Sequence, residues 1–157
     1  MCNQTCCFTG HRFLPKEQLE GILRRLSDTV DGLIAQGVTR FISGGALGFD
    51  QLAARVILHK RDIEKQPIRL IIAQPCRDQA AHWTVKERAG YENILAQADE
   101  VVCLSEHYFN GCMHIRNRYM VEHADHVIAC MARLHGGTAQ TVSYAVKKGL
   151  TVVNIWE

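Results

Sequence analysis

Short apolar-rich runs that alternate with amphipathic helical stretches are the feature that most constrains the fold of this chain. Residues 38–43, 68–73 and 126–131 are such runs, and the segments between them carry apolar residues at helical spacing. Parallel strands need long crossover connections and bury both faces of their sheet. We therefore predict an α/β fold: one Rossmann-like, doubly wound domain with a mainly parallel sheet of about six strands and helices on both faces.

The pattern predicts six strands and five helices within a single domain spanning residues 1–157. The strands are expected at residues 5–9, 38–43, 68–73, 100–104, 126–131 and 151–155. The helices are expected from Pro15 to about residue 36, from residue 46 or 48 onward, and at 82–98, 113–124 and 138–148. A length of 157 residues, 47% of them hydrophobic, is enough to bury one substantial core.

Composition argues against several classes of protein. The formal net charge of +2 is small and the basic residues are scattered, so nucleic acid is not an expected partner. No apolar run reaches the roughly 18 residues of a membrane span, and the N-terminus lacks the features of a signal peptide, so we expect a cytoplasmic protein with no membrane partner.

The seven cysteines do not form a recognisable framework. Their number is odd and no CxxC pair occurs, and most of them lie in apolar runs, where a reduced thiol behaves as a small hydrophobe. The eight histidines show no metal-ligand spacing either. We expect reduced core thiols, no metal and no required cofactor.

Candidate functional residues follow the predicted strands, because ligands of doubly wound sheets bind beyond the carboxyl ends of the strands. SGGALGFD (43–50) and HGGT (135–138) are glycine-bearing turns into helices, and either would suit a phosphate or only a tight turn. TGHR (9–12) adds an arginine that can bind phosphate or pair with a surface carboxylate. Thr138 is either a helix N-cap or a phosphate-binding hydroxyl.

Three further side chains have two interpretations each. Asp50, in the first turn of its helix, either caps that helix or accepts hydrogen bonds from a sugar. Arg116 is either a solvated surface charge or a phosphate ligand. Trp83 is interpreted as core or cleft wall rather than as a base-stacking platform, although it is one helical turn from Gln79 and could share a ligand-facing side with it.

Five motifs in order resemble the SLOG superfamily, which joins the Lonely Guy phosphoribohydrolases with the DprA/Smf proteins, and within it the YpsA-like branch. They are FTGHR (8–12), SGGALGFDQLAA (43–54), the region of Gln79 and Trp83, RNRYMVEHAD (116–125) and GGTAQTVSYA (136–145). The resemblance runs nearly end to end. It implies a Rossmann-like domain with a nucleotide-like ligand at the strand ends.

The resemblance leaves three functions open. The Lonely Guy likeness implies hydrolysis of nucleoside 5′-phosphates, with Arg116 at the position of a catalytic arginine. Asn117 stands where that family has lysine, and no acid follows Gly137 and Thr138 where it has a catalytic glutamate, so Asp50 or Glu122 would have to serve. The DprA likeness implies binding of single-stranded DNA.

Our leading interpretation is binding of a nucleotide-derived small molecule, with a sensing or regulatory output and with a homo-oligomer or a protein partner left open. The candidate ligand-binding residues are Thr9, Gly10, His11, Arg12, Ser43, Gly44, Gly45, Ala46, Gly48, Asp50, Arg116, Asn117, Gly136, Gly137 and Thr138, with Gln79 and Trp83 as cleft wall.

Overall fold

A computed structural model describes residues 4–156 and contains one sheet with helices on both faces. The six strands are β1 (Gln4–Gly10), β2 (Val38–Ser43), β3 (Arg69–Gln74), β4 (Glu100–Cys103), β5 (His126–Cys130) and β6 (Thr151–Asn154). The five α-helices are α1 (Leu19–Ala35), α2 (Phe49–Asp62), α3 (Val85–Gln97), α4 (Cys112–Glu122) and α5 (Gly137–Lys147). A short 3₁₀ turn, Lys16–Gln18, precedes α1.

All neighbouring strands of the sheet are parallel, in the order β4-β3-β2-β1-β5-β6. The chain first adds strands on one side of β1 and then returns to add β5 and β6 on the other side. The loops that follow β1 and β5 therefore diverge at the carboxyl edge, which opens a crevice between them. The predicted Rossmann-like, doubly wound α/β fold is confirmed.

Two apolar clusters lie on opposite faces of this sheet. Consecutive residues of β1 belong to different clusters, Phe8 to one and Cys7 to the other, as strand geometry requires. The first cluster packs against α1, α2 and α3, and the second packs against α4 and α5. Helices α4 and α5 thus place their N-termini at the carboxyl edge of the sheet, beside the crevice.

The predicted helix at 82–98 is wrong at its start, because α3 begins at Val85. Thr84 accepts a hydrogen bond from the Glu87 backbone N–H, and the Glu87 carboxylate accepts one from the Thr84 N–H. This capping box fixes the helix start. Gln79 and Trp83 lie in the preceding segment of turns, so the prediction that they are one helical turn apart is also wrong.

The described cysteines are free thiols. Five of the six are buried, and Cys103 is partly exposed, whereas Cys2 lies outside the described residues. Within residues 4–156, no helix is both long and apolar enough to cross a membrane.

Candidate functional site

A cavity of about 230 Å³ lies at the divergence of the loops after β1 and β5. Ten of the predicted ligand-binding residues line it: Thr9, Gly10, His11, Arg12, Ala46, Asp50, Arg116, Asn117, Gly137 and Thr138. These residues come from four separate segments of the chain, which the strand order brings together at one edge. We refer to this space as the polar cavity.

Arg116 is fixed in the floor of the polar cavity rather than solvated at the surface. Its side chain is only 4% exposed, and Nη1 donates to the Gly44 carbonyl at 2.8 Å. Nε donates to Oδ1 of the adjacent Asn117 at 2.9 Å. Burial lowers the pKa of Arg116, but an arginine stays charged in proteins. A fixed cation therefore lies at the base of the cavity.

Asp50 lies on the same side of Gly44 as Arg116. A Cβ added to Gly44 would lie 2.7 Å from Oδ2 of Asp50 and 2.5 Å from Nη1 of Arg116, so only glycine fits between the two side chains. Burial raises the pKa of the Asp50 carboxyl to about 6, against the lowering effects of Arg116 and of the Ala46 backbone N–H. The Asp50 side chain therefore gains its negative charge around pH 6.

The loop between β2 and α2 is held against the chain that follows β1. Gly48, the N-cap of α2, has a φ of 87°, and a Cβ there would collide with the Arg12 carbonyl. The Phe49 N–H donates to the His11 carbonyl at 3.1 Å. Ser43 Oγ accepts from the Gly45 N–H and donates to the Asp50 carbonyl, which closes the loop on itself.

His11 is part of the cavity wall in its neutral form. Its Nε2 accepts a hydrogen bond from the Ala132 N–H at 2.7 Å, which leaves the ring proton on Nδ1. Burial lowers the pKa of His11, and the nearby Arg133 guanidinium lowers it further. His11 therefore joins the loop after β1 to the loop after β5.

The second glycine turn forms the start of α5. Gly136 is the N-cap, with a φ of 100°, and the helix begins at Gly137. Thr138 lies inside the first turn and is buried, so the interpretation of Thr138 as the N-cap is wrong. The first backbone N–H groups of this helix lack carbonyl partners within it, and together with the helix dipole they favour an anion.

Not every predicted residue borders the polar cavity. Ser43, Gly44 and Gly45 lie in the loop beneath it, and Gly136 precedes the part of α5 that lines it. Gly48, Gln79 and Trp83 line a neighbouring cavity of about 760 Å³.

Arg133 and His135 also line the polar cavity but were not among the predicted ligand-binding residues, although His135 belongs to the HGGT motif. Both lie in the loop directly after β5. The sequence could have indicated them, because an arginine and a histidine stand just before Gly136 and Gly137. The alternative catalytic acid Glu122 is excluded from this site. It ends α4 at the opposite edge of the sheet and accepts a hydrogen bond from the Tyr144 hydroxyl.

Residues 4–156 contain no group of three or more histidine, cysteine, aspartate or glutamate side chains placed to hold a metal ion. The polar cavity instead combines cations with backbone donors from α5. Its chemistry fits an anionic ligand.

Proteins of similar sequence match most of the chain. The SPbeta prophage-derived protein YoqJ of Bacillus subtilis strain 168, itself uncharacterised, is 29% identical in an alignment 140 residues long that covers 78% of this chain and 81% of that protein. A UPF0398 protein of Bacillus pumilus is 26% identical over 132 residues, which are 83% of this chain and 69% of that protein.

Solved structures with the same fold include two DNA processing proteins. The Helicobacter pylori DNA processing protein A, described with a single-stranded DNA binding mode, superposes with a TM-score of 0.69 at 22% identity, over 95% of this chain. The Streptococcus pneumoniae DprA superposes with a TM-score of 0.66 at 16% identity, over 96% of this chain. The chain spans only 63% and 49% of these two proteins, and the likeness shows a shared fold.

A family model supplies the remaining comparison. The model YpsA, described as the YspA SLOG family, matches residues 13–151, which include Arg116 and both glycine-bearing turns, at 43–50 and 135–138. The chain therefore belongs to the YspA SLOG family.

Proposed function

We propose that this protein binds a nucleotide or a nucleotide-derived small molecule in the polar cavity, and that binding serves a sensing or regulatory output. The observation that carries the proposal is the buried Arg116 at the base of a crevice that also holds the N-terminus of α5. Both features stabilise a phosphate, and Arg12 and Arg133 line the same cavity from exposed positions.

Sensing is preferred to turnover because the lining of the polar cavity, within residues 4–156, offers a single carboxyl group for cleavage of an N-glycosidic bond. Among the described residues that line it, Asp50 is the one carboxylate. Cleavage of an N-glycosidic bond needs stabilisation of a developing cation and a proton donor, tasks usually shared by two carboxyl groups. A hydrolase of nucleoside 5′-phosphates remains the second candidate, with Asp50 as its acid.

Native mass spectrometry tests the proposal. The protein is incubated with nucleoside mono-, di- and triphosphates and with ADP-ribose, and bound mass and released base are measured together. We expect a one-to-one complex with no release of base. Base that accumulates in the wild type and is lost in Asp50→Asn would establish the hydrolase instead.

Charge variants locate the site in the same experiment. Arg12→Gln and Arg133→Gln remove exposed cations that line the polar cavity, and Arg24→Gln removes an exposed cation from α1. We expect the first two to lower nucleotide binding at least fivefold and the α1 control to leave it unchanged. Equal binding by all three variants would contradict the location of the site.

Single-stranded DNA is a further candidate because exposed aromatic side chains lie in loops at the same edge of the sheet. Phe13 follows β1, and Tyr108 and Phe109 follow β4. Aromatic platforms of this kind stack bases, although the net charge of +2 is low for such a role. Fluorescence anisotropy of a labelled oligothymidylate, measured across salt concentrations, separates the candidates, since DNA binding weakens steeply with salt.

A further inference from the structure

The larger cavity, of about 760 Å³, adjoins the polar cavity along three segments of the chain. Arg12 lines both spaces. Within residues 46–50 and again within residues 113–117, some side chains line one cavity and some line the other. A ligand held in the polar cavity by its phosphate therefore has the larger cavity as its nearest extension.

Aromatic side chains form much of the wall of this larger cavity. Phe13 and Tyr108 line it and are 85% and 61% exposed, although large apolar side chains are normally covered. Trp83 also lines it, and its ring is fixed edge-on against Tyr91 with ring centroids 5.2 Å apart. Such surfaces suit the face of a planar aromatic group.

A buried hydrogen-bond network connects the two cavities. The Gly44 carbonyl accepts from Nη1 of Arg116 and also from Nε2 of Gln79, at 2.8 and 3.3 Å. Since only the amide nitrogen of Gln79 can donate to a carbonyl, its orientation is fixed. Nε2 also bonds the Tyr91 hydroxyl at 2.9 Å.

Acidic residues add hydrogen-bond acceptors to the wall of the larger cavity. Asp78 and Glu87 line this space, and one carboxylate oxygen of Glu87 also accepts from the Thr84 N–H. The wall thus combines aromatic faces with acceptors, and a nucleobase offers the matching combination of a planar face and N–H donors.

We propose that the larger cavity binds the nucleobase of the ligand whose phosphate occupies the polar cavity. The ligand class is then nucleotides that retain their base, rather than sugar phosphates. This inference rests on the proposed function. Trp83, Phe13 and Tyr108 supply the stacking surface, and Gln79 links the base subsite to Arg116.

Tryptophan fluorescence tests the base subsite directly, because the chain has two tryptophans and one of them is Trp83. In the variant Trp156→Phe, whose fold is checked by circular dichroism, the remaining signal comes from Trp83. The probes are the adenosine, guanosine, cytidine and uridine 5′-monophosphates, ribose 5-phosphate, and the four nucleosides. We expect the best monophosphate to quench Trp83 and to bind at least tenfold more tightly than ribose 5-phosphate.

Exposed-residue variants provide the second readout, since their substitution leaves the core intact. We expect Phe13→Ala and Tyr108→Ala to lower the affinity for the best monophosphate at least threefold and to leave the affinity for ribose 5-phosphate unchanged. Ile63→Ala removes a comparably exposed apolar side chain at the end of α2 and serves as the control.

Each outcome separates this inference from the proposed function. Equal affinity for ribose 5-phosphate and the best monophosphate would overturn the base subsite and retain the phosphate site. A nucleoside that quenches Trp83 and binds as tightly as its monophosphate would support the base subsite and overturn the phosphate site. Absence of binding by all the probes would overturn both.

Discussion

Asp50 is a buried carboxyl group whose ionisation opposes folding. Its pKa rises from 3.8 to about 6 in the folded protein because of burial. Between these two values the folded state binds more protons than the unfolded state, so the contribution of Asp50 to stability falls as pH rises from 3.8 to about 6 and is constant above. The shift corresponds to about 3 kcal/mol.

We expect Asp50→Asn to remove this pH dependence. The measurement is the free energy of unfolding from urea titrations at several pH values between 4 and 8, compared between wild type and variant. The stability of the variant relative to wild type should rise by about 2 kcal/mol across that range, since asparagine carries no charge to bury. A constant difference across this range would contradict a raised pKa.

Arg116 and Asp50 are expected to depend on each other. Removing the cation with Arg116→Met takes away one of the two donors to the Gly44 carbonyl and leaves Asp50 without the positive charge that lowers its pKa. At pH 8 we expect a loss of about 3 kcal/mol in wild type. In the Asp50→Asn background the loss should be smaller by about 1 kcal/mol or more.

A double-mutant cycle of urea unfolding measures this coupling. The four proteins are the wild type, the two single variants and the double variant. Additive losses would show that Asp50 and Arg116 act independently despite lying on the same side of Gly44.

At the scale of elements, the turn from β2 into α2 depends on Gly48. Its φ of 87° and its contact with the Arg12 carbonyl both exclude a side chain. Gly37, at the end of α1, also has a positive φ, of 103°, but a Cβ there would meet open space. We expect Gly37→Ala to cost about 1 kcal/mol.

Gly48→Ala should cost at least about 2 kcal/mol more than Gly37→Ala, because it adds a steric clash to the same backbone strain. Thermal unfolding of the two variants measures the difference. Similar melting temperatures would show that the loop moves away from Arg12 at little cost.

Element boundaries were predicted correctly where glycine residues flank an apolar run. The bounds of β2 follow from an apolar run between Gly37 and the glycine pair, and the predicted and observed strand agree. The start of α3 was predicted three residues early, because residues at helical spacing extend to the N-terminal side of the capping box that Thr84 makes with Glu87. Of the two interpretations of Thr138, the N-cap is wrong because Gly136 occupies that position, although threonine is a preferred capping residue.

At the scale of the whole molecule, the sequence predicted the fold and the edge of the sheet that carries the candidate site. It did not specify the strand order, which depends on crossover direction rather than on composition. The exclusion of Glu122 follows instead from the direction of α4, because a helix that leads into a parallel strand ends at the amino edge of the sheet. The burial of Arg116 results from packing between separate segments, which spacing does not report.

A bound ligand should stabilise the whole chain. At a nucleotide concentration one hundred times its dissociation constant, linkage predicts about 2.7 kcal/mol of stabilisation. For a domain of this size that corresponds to a rise in melting temperature of about 5–10 °C. Differential scanning fluorimetry measures it, and Arg24→Gln should show the same rise as wild type, whereas Arg133→Gln at the same concentration should show less.

The central claim, that a nucleotide phosphate lies between the loops after β1 and β5, is tested most directly by titrating ¹⁵N-labelled protein with a nucleoside monophosphate in two-dimensional NMR. The account predicts that the largest saturable amide shifts fall at residues 10–12 and 136–138, and that they weaken in Arg133→Gln. Shifts confined to other surfaces, or no saturable shift with any of the four monophosphates, would contradict it.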